Sequence, residues 1–363
     1  MRSGYRKALD DFTSGIENLF RKYKYRKKAK IRLKRMKGGH HCDEEYKKIV
    51  LPYWEKFGKK PKKYWYNIFS DREGKVNPRY IPDDYYYGEI VPYYSNPQFR
   101  RYAEDKCLHD VLFPNIRRPE TVVKNIAGVF YDANMNIIDK EKAIEICLSY
   151  NKNFLIKPSI DSGEGRLIHF FEKDKYSKEE LVSYMDSLKA NYIIQEEVKQ
   201  HDVLNRLNES SINTIRVVSF LFENQIHILS SILRIGAEGN KIDNVGAGGF
   251  ACPINNDGNL REKGVNRRAE WVRENNHGIK FIDIKVPSYD RILEIIKKEH
   301  KKLAHFKIIG WDFTVSKEGE PIFIEFNSCP GSNQITFGPT FGDLTEKVLT
   351  DVYLNKNLKY AQN

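Results

Sequence analysis

The sequence predicts an α+β fold, and three observations carry the prediction. Strand-like and helix-like patterns alternate over residues 121–198. From residue 213 onward, runs rich in β-branched and aromatic residues follow one another, TIRVVSFLF and QIHILSSILRIG, before a glycine-rich NVGAGGFACP. Residues 308–331, IIGWDFTVSKEGEPIFIEFNSCPG, read as two strands joined by a tight turn. In the first of these strands Ile309, Trp311, Phe313 and Val315 share a face, with Asp312 opposite. In the second, Ile322, Ile324 and Phe326 share a face, with Glu325 and Asn327 opposite. If Glu318-Gly319 is a two-residue turn, Lys317 faces Glu320 and Asp312 lies directly across from Glu325.

The totals fit a large folded protein. The chain has 363 residues, 40% hydrophobic and 30% charged, enough for two or three domains sharing a sizeable core. No apolar run approaches the ~20 residues that span a bilayer, and the N-terminus lacks an apolar signal core. Cys42, Cys107, Cys147, Cys252 and Cys329 are scattered with no CxxC pair, which points to a reducing cytoplasm and away from a disulfide framework or structural zinc. His40-His41-Cys42 has no matching half-site and reads as a solvated loop. Net charge is +12, and residues 18–42 hold eleven Lys/Arg and no acidic residue.

In chain order, residues 1–37 read as a helix with Phe12, Ile16, Leu19 and Tyr23 as its apolar stripe. The cationic run that follows admits three readings: a solvated helix, a contact with an anionic membrane surface, or nucleic acid. Nucleic acid is the weakest, because no recognised nucleic-acid module follows. Residues 43–104 are rich in Tyr, Trp and Pro. The prolines forbid long helices, and the aromatics favour packing of an accessory domain over stacking on sugars or bases. Residues 105–120 read as a short helix and a Pro-limited loop. In 121–198, SKEELVSYMDSLKA is a helix opened by a capping box, Ser177 and Glu180. A further helix is expected over residues 289–304, with Ile292, Ile295, Ile296 and Leu303 inward. The expected division is 1–104, 105–198 and 199–363.

Two stretches carry chemistry. Asp312, Glu325 and Asn327 form an all-oxygen set, which suits a hard cation; Mg²⁺ takes a few carboxylates plus phosphate oxygens. The alternative is a solvated acidic face on an amphipathic hairpin. Lys157, in FLIKPSIDSGEG, is delivered by a strand into a loop containing Ser162, Gly163 and Gly165. Glycines let backbone N–H groups approach a phosphate, and the lysine adds a point charge. The GK[ST] ending of a Walker A loop is missing.

In this order and spacing, AEDK, IKPSIDSGEG, NTIRVV, LRIG, DNVGAGG and GWDFTV…FIEFN resemble the ATP-grasp superfamily of carboxylate–amine ligases, most closely its sugar-transfer-associated family, over about residues 104–345. The resemblance implies an ATP-grasp fold, two α+β subdomains clasping ATP, with the N-terminal helical and aromatic region alongside. It implies that Lys106 and Lys157 hold the α- and β-phosphates, that Ser162, Gly163 and Gly165 cover the triphosphate, and that Gln195, Glu196, Glu197 and Val198 form a hinge beside adenine and ribose. Asp312, Glu325 and Asn327 would hold Mg²⁺. The D-alanine–D-alanine ligase branch carries an arginine two residues before the metal aspartate; here that position is Gly310. Arg216 and Arg234 are the candidates to supply the missing cation, and Arg234 with Asn244 resembles the α-L-glutamate ligases. An inter-strand ion pair is the competing reading for Arg216.

The implied activity is ATP-dependent amide formation through an acyl phosphate, on a sugar acid or amino acid for polysaccharide biosynthesis. The substrate would be a small molecule or a nucleotide- or lipid-linked sugar, and the acceptor would sit near residues 246–250 and 330–336. Location in the cytoplasm is expected, with the basic segment able to bring the protein to the inner face of the membrane. Two rivals stand: a kinase acting on a non-carboxylate acceptor, and a non-catalytic nucleotide-gated binding protein. Cys329 reads as a packing residue.

Overall fold

The computed structural model describes residues 2–36, 39–71, 74–161, 165, 167–241, 248–266 and 270–355. Two antiparallel sheets organise it. The first contains β1 (Thr121–Ile126), β2 (Val129–Tyr131), β3 (Ile137–Ile138), β4 (Phe154–Pro158), β5 (His169–Phe171) and β6 (Tyr192–Glu196), in the order β3-β2-β1-β6-β4-β5. Helices Lys140–Ser149 and Lys178–Leu188 cover one face, burying Ala143, Ile144, Leu181 and Met185 against Val123, Phe154, Ile156 and Ile194. Each helix starts where the sequence supplies a cap. Asp139 accepts from the Lys142 N–H at 2.7 Å, and Ser177 from the Glu180 N–H at 3.1 Å.

The second sheet contains β7 (Thr214–Phe222), β8 (Gln225–Ile235), β9 (Phe250–Pro253), β10 (Gly264–Asn266), β11 (Trp271–Val272), β12 (Ile308–Val315) and β13 (Pro321–Asn327), in the order β11-β10-β9-β8-β7-β12-β13. Helix Tyr289–Glu299 and the 3₁₀ turn His300–Leu303 pack on the side carrying Ile215, Val217, Trp311 and Phe313. Beneath them lies a satisfied polar chain. Trp311 Nε1 donates to Ser219 Oγ at 2.8 Å, the Ser219 hydroxyl lies 2.8 Å from His300 Nδ1, and His300 Nε2 donates to the Phe306 carbonyl at 3.0 Å. A carbonyl only accepts, so Nε2 carries the proton and Nδ1 accepts from Ser219. Every residue of β12 is buried.

The N-terminal region shares a core with the second sheet. Short helices between the prolines, among them Leu51–Glu55, Lys63–Ser70 and Val91–Tyr94, bury Trp54, Trp65, Tyr66, Phe69 and Tyr94 against Phe220, Ile308, Val348 and Leu349. The aromatics therefore pack. Cys42, expected in a solvated loop, is also buried and donates to Asn67 Oδ1 at 3.0 Å. All five cysteines carry free thiols.

Two further expectations are corrected. The long helix α1 (Arg2–Arg35) forms, but its packed face is not the apolar stripe. Ile16, Leu19 and Tyr23 are 51%, 65% and 65% exposed, whereas Ala29 and Leu33 reach the core; the Phe12 side chain lies outside the described residues. Basic residues of α1 meet acids instead: Arg26 pairs with Asp84 and Lys22 with Glu89, both at 2.7 Å. Charge complementarity and a short apolar patch decide the docking here, which hydrophobic periodicity does not register. No helix among the described residues is long and apolar enough to cross a membrane.

The second correction concerns the hairpin. Ser316 N–H donates to the Glu320 carbonyl at 2.8 Å, so the loop has three residues, Lys317, Glu318 and Gly319, with Gly319 at φ +83°. That shifts the register by one. A bulge then shifts it back: Phe313 faces Phe323 whereas Asp312 faces Glu325. The extra residue is Ile324. Phe323 therefore shares the core with Phe326, and Ile324 turns to the cavity.

Candidate active site

One cavity of about 490 Å³ is lined from both sheets. Lys106, Lys157, Gly165, Gln195, Glu196, Glu197, Val198, Arg216, Arg234, Asp312, Glu325 and Asn327 all lie on its wall. These are the sequence-derived candidates that the structure describes; Ser162, Gly163 and Asn244 lie outside the described residues.

The carboxylates arrive by strand register. Asp312 is opposite Glu325 on one side and Arg216 on the other, while Arg234 is opposite Thr214. Arg216 grips Asp312 through two parallel contacts, Nε to Oδ1 and Nη2 to Oδ2, the latter 2.6 Å. Arg234 Nη1 stands 3.6 Å from the same Oδ2. Lys106 Nζ lies 3.0 Å from Glu325. The ion-pair reading of Arg216 thus holds for the protein without ligands, and its partner is the expected metal aspartate. The whole wall carries six carboxylates and seven cations; at its inner end Lys106, Lys157, Arg216 and Arg234 gather around Asp312 and Glu325, an arrangement that favours a polyanionic ligand there.

Burial raises the affinity of Glu325 for a proton, but Lys106 and Lys157, helped by the Lys106 hydrogen bond and Arg216, outweigh it and hold the carboxyl well below its usual range. Lys157 is lowered to about 8, first by burial and then by Lys106, with Glu325 opposing.

Short motifs set these side chains by backbone means. In AEDK, Glu104 accepts from both the N–H and the hydroxyl of Ser328, at 2.6 and 2.8 Å, fixing the residue after Asn327. Asp105 caps the 3₁₀ turn Lys106–Leu108 by accepting from the Cys107 N–H. The Lys106 N–H donates to the Ser159 carbonyl at 3.1 Å, tying this turn to the end of β4. In NTIRVV, the buried Asn213 donates to the carbonyls of Leu204 and Asn208, and its N–H donates to Gln200 Oε1 at 2.7 Å. At the hinge, the Glu196 carboxylate accepts from the Glu120 N–H and pairs with Lys152, while Glu197 accepts from Asn153 Nδ2. Both carboxylates are thus engaged by neighbouring segments.

Sequence reasoning missed two parts of the wall. Leu155, Ile168 and Phe170 from the first sheet's side, with Ile324 from β13, supply apolar lining. The bulge that turns Ile324 inward leaves no mark in a period-two pattern. Lys199, Gln200, Asp202 and residues 209–212 also reach the cavity, held by the Gln200–Asn213 network. Their polar composition was the only available signal.

The oxygen set fits Mg²⁺. It contains two carboxylates and a carboxamide and no sulfur or imidazole, and among the described residues no cluster of three His, Cys, Asp or Glu competes for a softer metal. Asn327 Nδ2 is buried without a hydrogen-bond partner among the described residues. A carboxamide can present either of its ends by rotation, so Asn327 is an uncommitted group beside Glu325. Gly310 explains the absent arginine: a Cβ there would lie 2.7 Å from Pro330 Cβ and 3.4 Å from Arg216 Cδ. Pro330 already occupies the space that a side chain at 310 would enter, with the stem of Arg216 in ordinary contact beside it.

A family model described as sugar-transfer-associated ATP-grasp matches residues 96–348. A comparison with curated proteins returns no match. Among solved structures, the chain is similar to D-cycloserine synthetase DcsG, with 13% identity over 68% of this chain and 71% of that one, at a TM-score of 0.43. It is similar to the D-alanine–D-alanine ligase of Helicobacter pylori, with 17% identity over 69% of this chain and 58% of that one, at 0.38. The L-amino acid ligase of Bacillus licheniformis gives 10% identity over 71% of this chain, at 0.40; this chain spans 51% of its length.

Proposed function

The chain belongs to the sugar-transfer-associated ATP-grasp family, and on that premise we propose that it is an ATP-dependent carboxylate–amine ligase. The observation that carries the reading is the meeting, in one cavity, of Lys106 and Lys157 with the in-register pair Asp312 and Glu325.

In this reading the adenine enters between the apolar lining residues, and Lys106 and Lys157 take the α- and β-phosphates. A substrate carboxylate oxygen attacks the γ-phosphorus, the bond to the β-phosphate oxygen breaks, and ADP leaves. An amine then attacks the acyl carbon, loses a proton, and expels inorganic phosphate. Arg216 and Arg234 neutralise charge that develops on the transferred group. Asp312, Glu325 and Asn327 would hold Mg²⁺, which supplies Lewis-acid screening of the phosphates. Engagement of Asp312 requires that the Arg216 grip loosen, so the two arginines pass from the aspartate to the phosphoryl oxygens as the nucleotide binds. The acid would be a uronic-acid sugar or an amino acid used in polysaccharide assembly in the cytoplasm.

The test uses Mg-ATP, hydroxylamine and a panel of uronic acids and amino acids. Hydroxamate formed together with ADP identifies an acyl phosphate and names the acid. Acceptor-dependent ADP without hydroxamate would replace the ligase reading with phosphoryl transfer to a hydroxyl.

A further inference from the structure

The stripe Ile16, Leu19, Phe20 and Tyr23 faces away from the core, and Phe20 is the most exposed of the four at 71%. Further along α1 the same face changes character. At 100° per residue, Lys27, Lys30 and Lys34 fall with the stripe, within about 50° either side of one line along the helix. All three lysines are exposed, and among the described residues no ion pair or side-chain hydrogen bond engages them. The outer face is thus apolar over residues 16–23 and cationic over residues 27–34.

The inner face is engaged by the protein. Lys22 pairs with Glu89 and Arg26 with Asp84. Tyr25 stacks on Tyr87 with ring centroids 3.8 Å apart, and Ala29 and Leu33 reach the core. At Gly88 the approach is close: a Cβ there would lie 2.6 Å from Lys22 Cγ. A second cavity, of about 540 Å³, is closed by α1 over Ser332, and Lys28, Arg32 and Arg35 line its helix side. The helix cannot turn its stripe inward without breaking these contacts.

An occupant of the outer face must accept both parts of it. A nucleic-acid backbone matches the lysines but leaves the apolar side chains in water. A second copy of α1 sets lysines against lysines in a parallel pair, and lysines against apolar side chains in an antiparallel one. An anionic lipid surface satisfies both parts. The apolar side chains enter the boundary between headgroups and acyl chains, Tyr23 rests at headgroup level, and the lysines meet lipid phosphates.

We infer that α1 lies flat on a bilayer carrying anionic phospholipid, with Ile16, Leu19, Phe20 and Tyr23 in the interface and Lys27, Lys30 and Lys34 on the headgroups. The cationic run alone is equally compatible with a solvated helix; the outward apolar stripe on the same face decides between them. The helix lies outside the matched residues 96–348, and the inference goes beyond the ligase reading without depending on it.

Flotation of the full chain with vesicles tests it. One set is phosphatidylcholine alone and the other phosphatidylcholine with phosphatidylglycerol, each at low and high salt. Binding to the anionic set is at least about tenfold stronger at low salt and falls as salt rises. Leu19→Gln combined with Phe20→Gln, which changes no charge, weakens binding to anionic vesicles about tenfold. Lys27→Gln, Lys30→Gln and Lys34→Gln together abolish the preference for anionic lipid. Lys263→Gln, Lys280→Gln and Lys301→Gln together, at exposed lysines elsewhere, lower the net charge equally and leave the preference intact. All variants keep the parent's melting temperature, since each replaced side chain is exposed. If the parent does not bind anionic vesicles, or if the apolar and lysine variants of α1 both bind them as the parent does, the inference is overturned. Binding to an oligonucleotide in place of vesicles would assign the face to nucleic acid, and a concentration-dependent dimer in their place would assign it to a second copy; either result overturns it. Hydroxamate formation is read separately, so the ligase reading stands or falls on its own.

Discussion

Arg216 and Asp312 face each other in register across β7 and β12 and form a two-contact ion pair inside the cavity. The pair joins the expected transition-state cation to the expected metal ligand. In the ligand-free protein each neutralises the other, so neither charge is left buried and alone.

Breaking that pair from one side should be costly. Asp312→Ala is expected to destabilise the protein by about 3–5 kcal/mol, because Arg216, in a mostly buried position, loses its two-contact carboxylate partner. Arg216→Met in the same background should recover a large part of the loss. Chemical denaturation of the two single variants and the double variant measures the coupling; simple additivity would refute it.

Glu325→Gln keeps shape and removes one charge. The variant should fold, since Lys106 retains an oxygen partner, and ADP formation should fall by about a hundredfold or more. Near-normal turnover in a well-folded variant would remove Glu325 from the metal set.

Gly310→Ala tests the close approach to Pro330. The added Cβ meets Pro330 Cβ at 2.7 Å, so the strand or the following segment must move. A loss of about 1–3 kcal/mol is expected. Thermal unfolding checks this, and an unchanged melting temperature would show that the segment yields freely.

His300 should give stability a pH dependence. Burial lowers its pKa to about 4, partly opposed by the bond to the Phe306 carbonyl. The unfolded chain therefore binds a proton more readily than the folded one. The contribution is complete above the unfolded value near 6.5 and is lost as pH falls toward 4, at up to about 1.4 kcal/mol per pH unit. Unfolding free energies between pH 7 and 4 should decline less steeply in His300→Asn than in the parent. Equal slopes would contradict the assignment.

Much of this was legible in the sequence because it is local. The cap at Ser177, the proline-limited short helices and the alternation that places Asp312 away from Trp311 all depend on neighbours in the chain. The pairing of Asp312 with Glu325 was also anticipated, but through two compensating departures: a three-residue loop and a bulge at Ile324. Period-two reasoning assigns Ile322 and Ile324 to the core and overlooks Phe323, because a bulge is set by the packing of both strands and not by the composition of one.

The sequence by itself determined the α+β character, the family resemblance with the two subdomains that it implies, and the residue types that gather on the cavity wall. These follow from side-chain periodicity and from short motifs whose atoms lie within a few residues of one another. Only the tertiary structure decided that Arg216 grips Asp312, that Ile324 faces the cavity, that the apolar stripe of α1 faces outward, and that α1 closes a second cavity over Ser332. Each of these depends on contacts between segments far apart in the chain, where charge complementarity and steric fit select among faces that local patterning leaves equivalent.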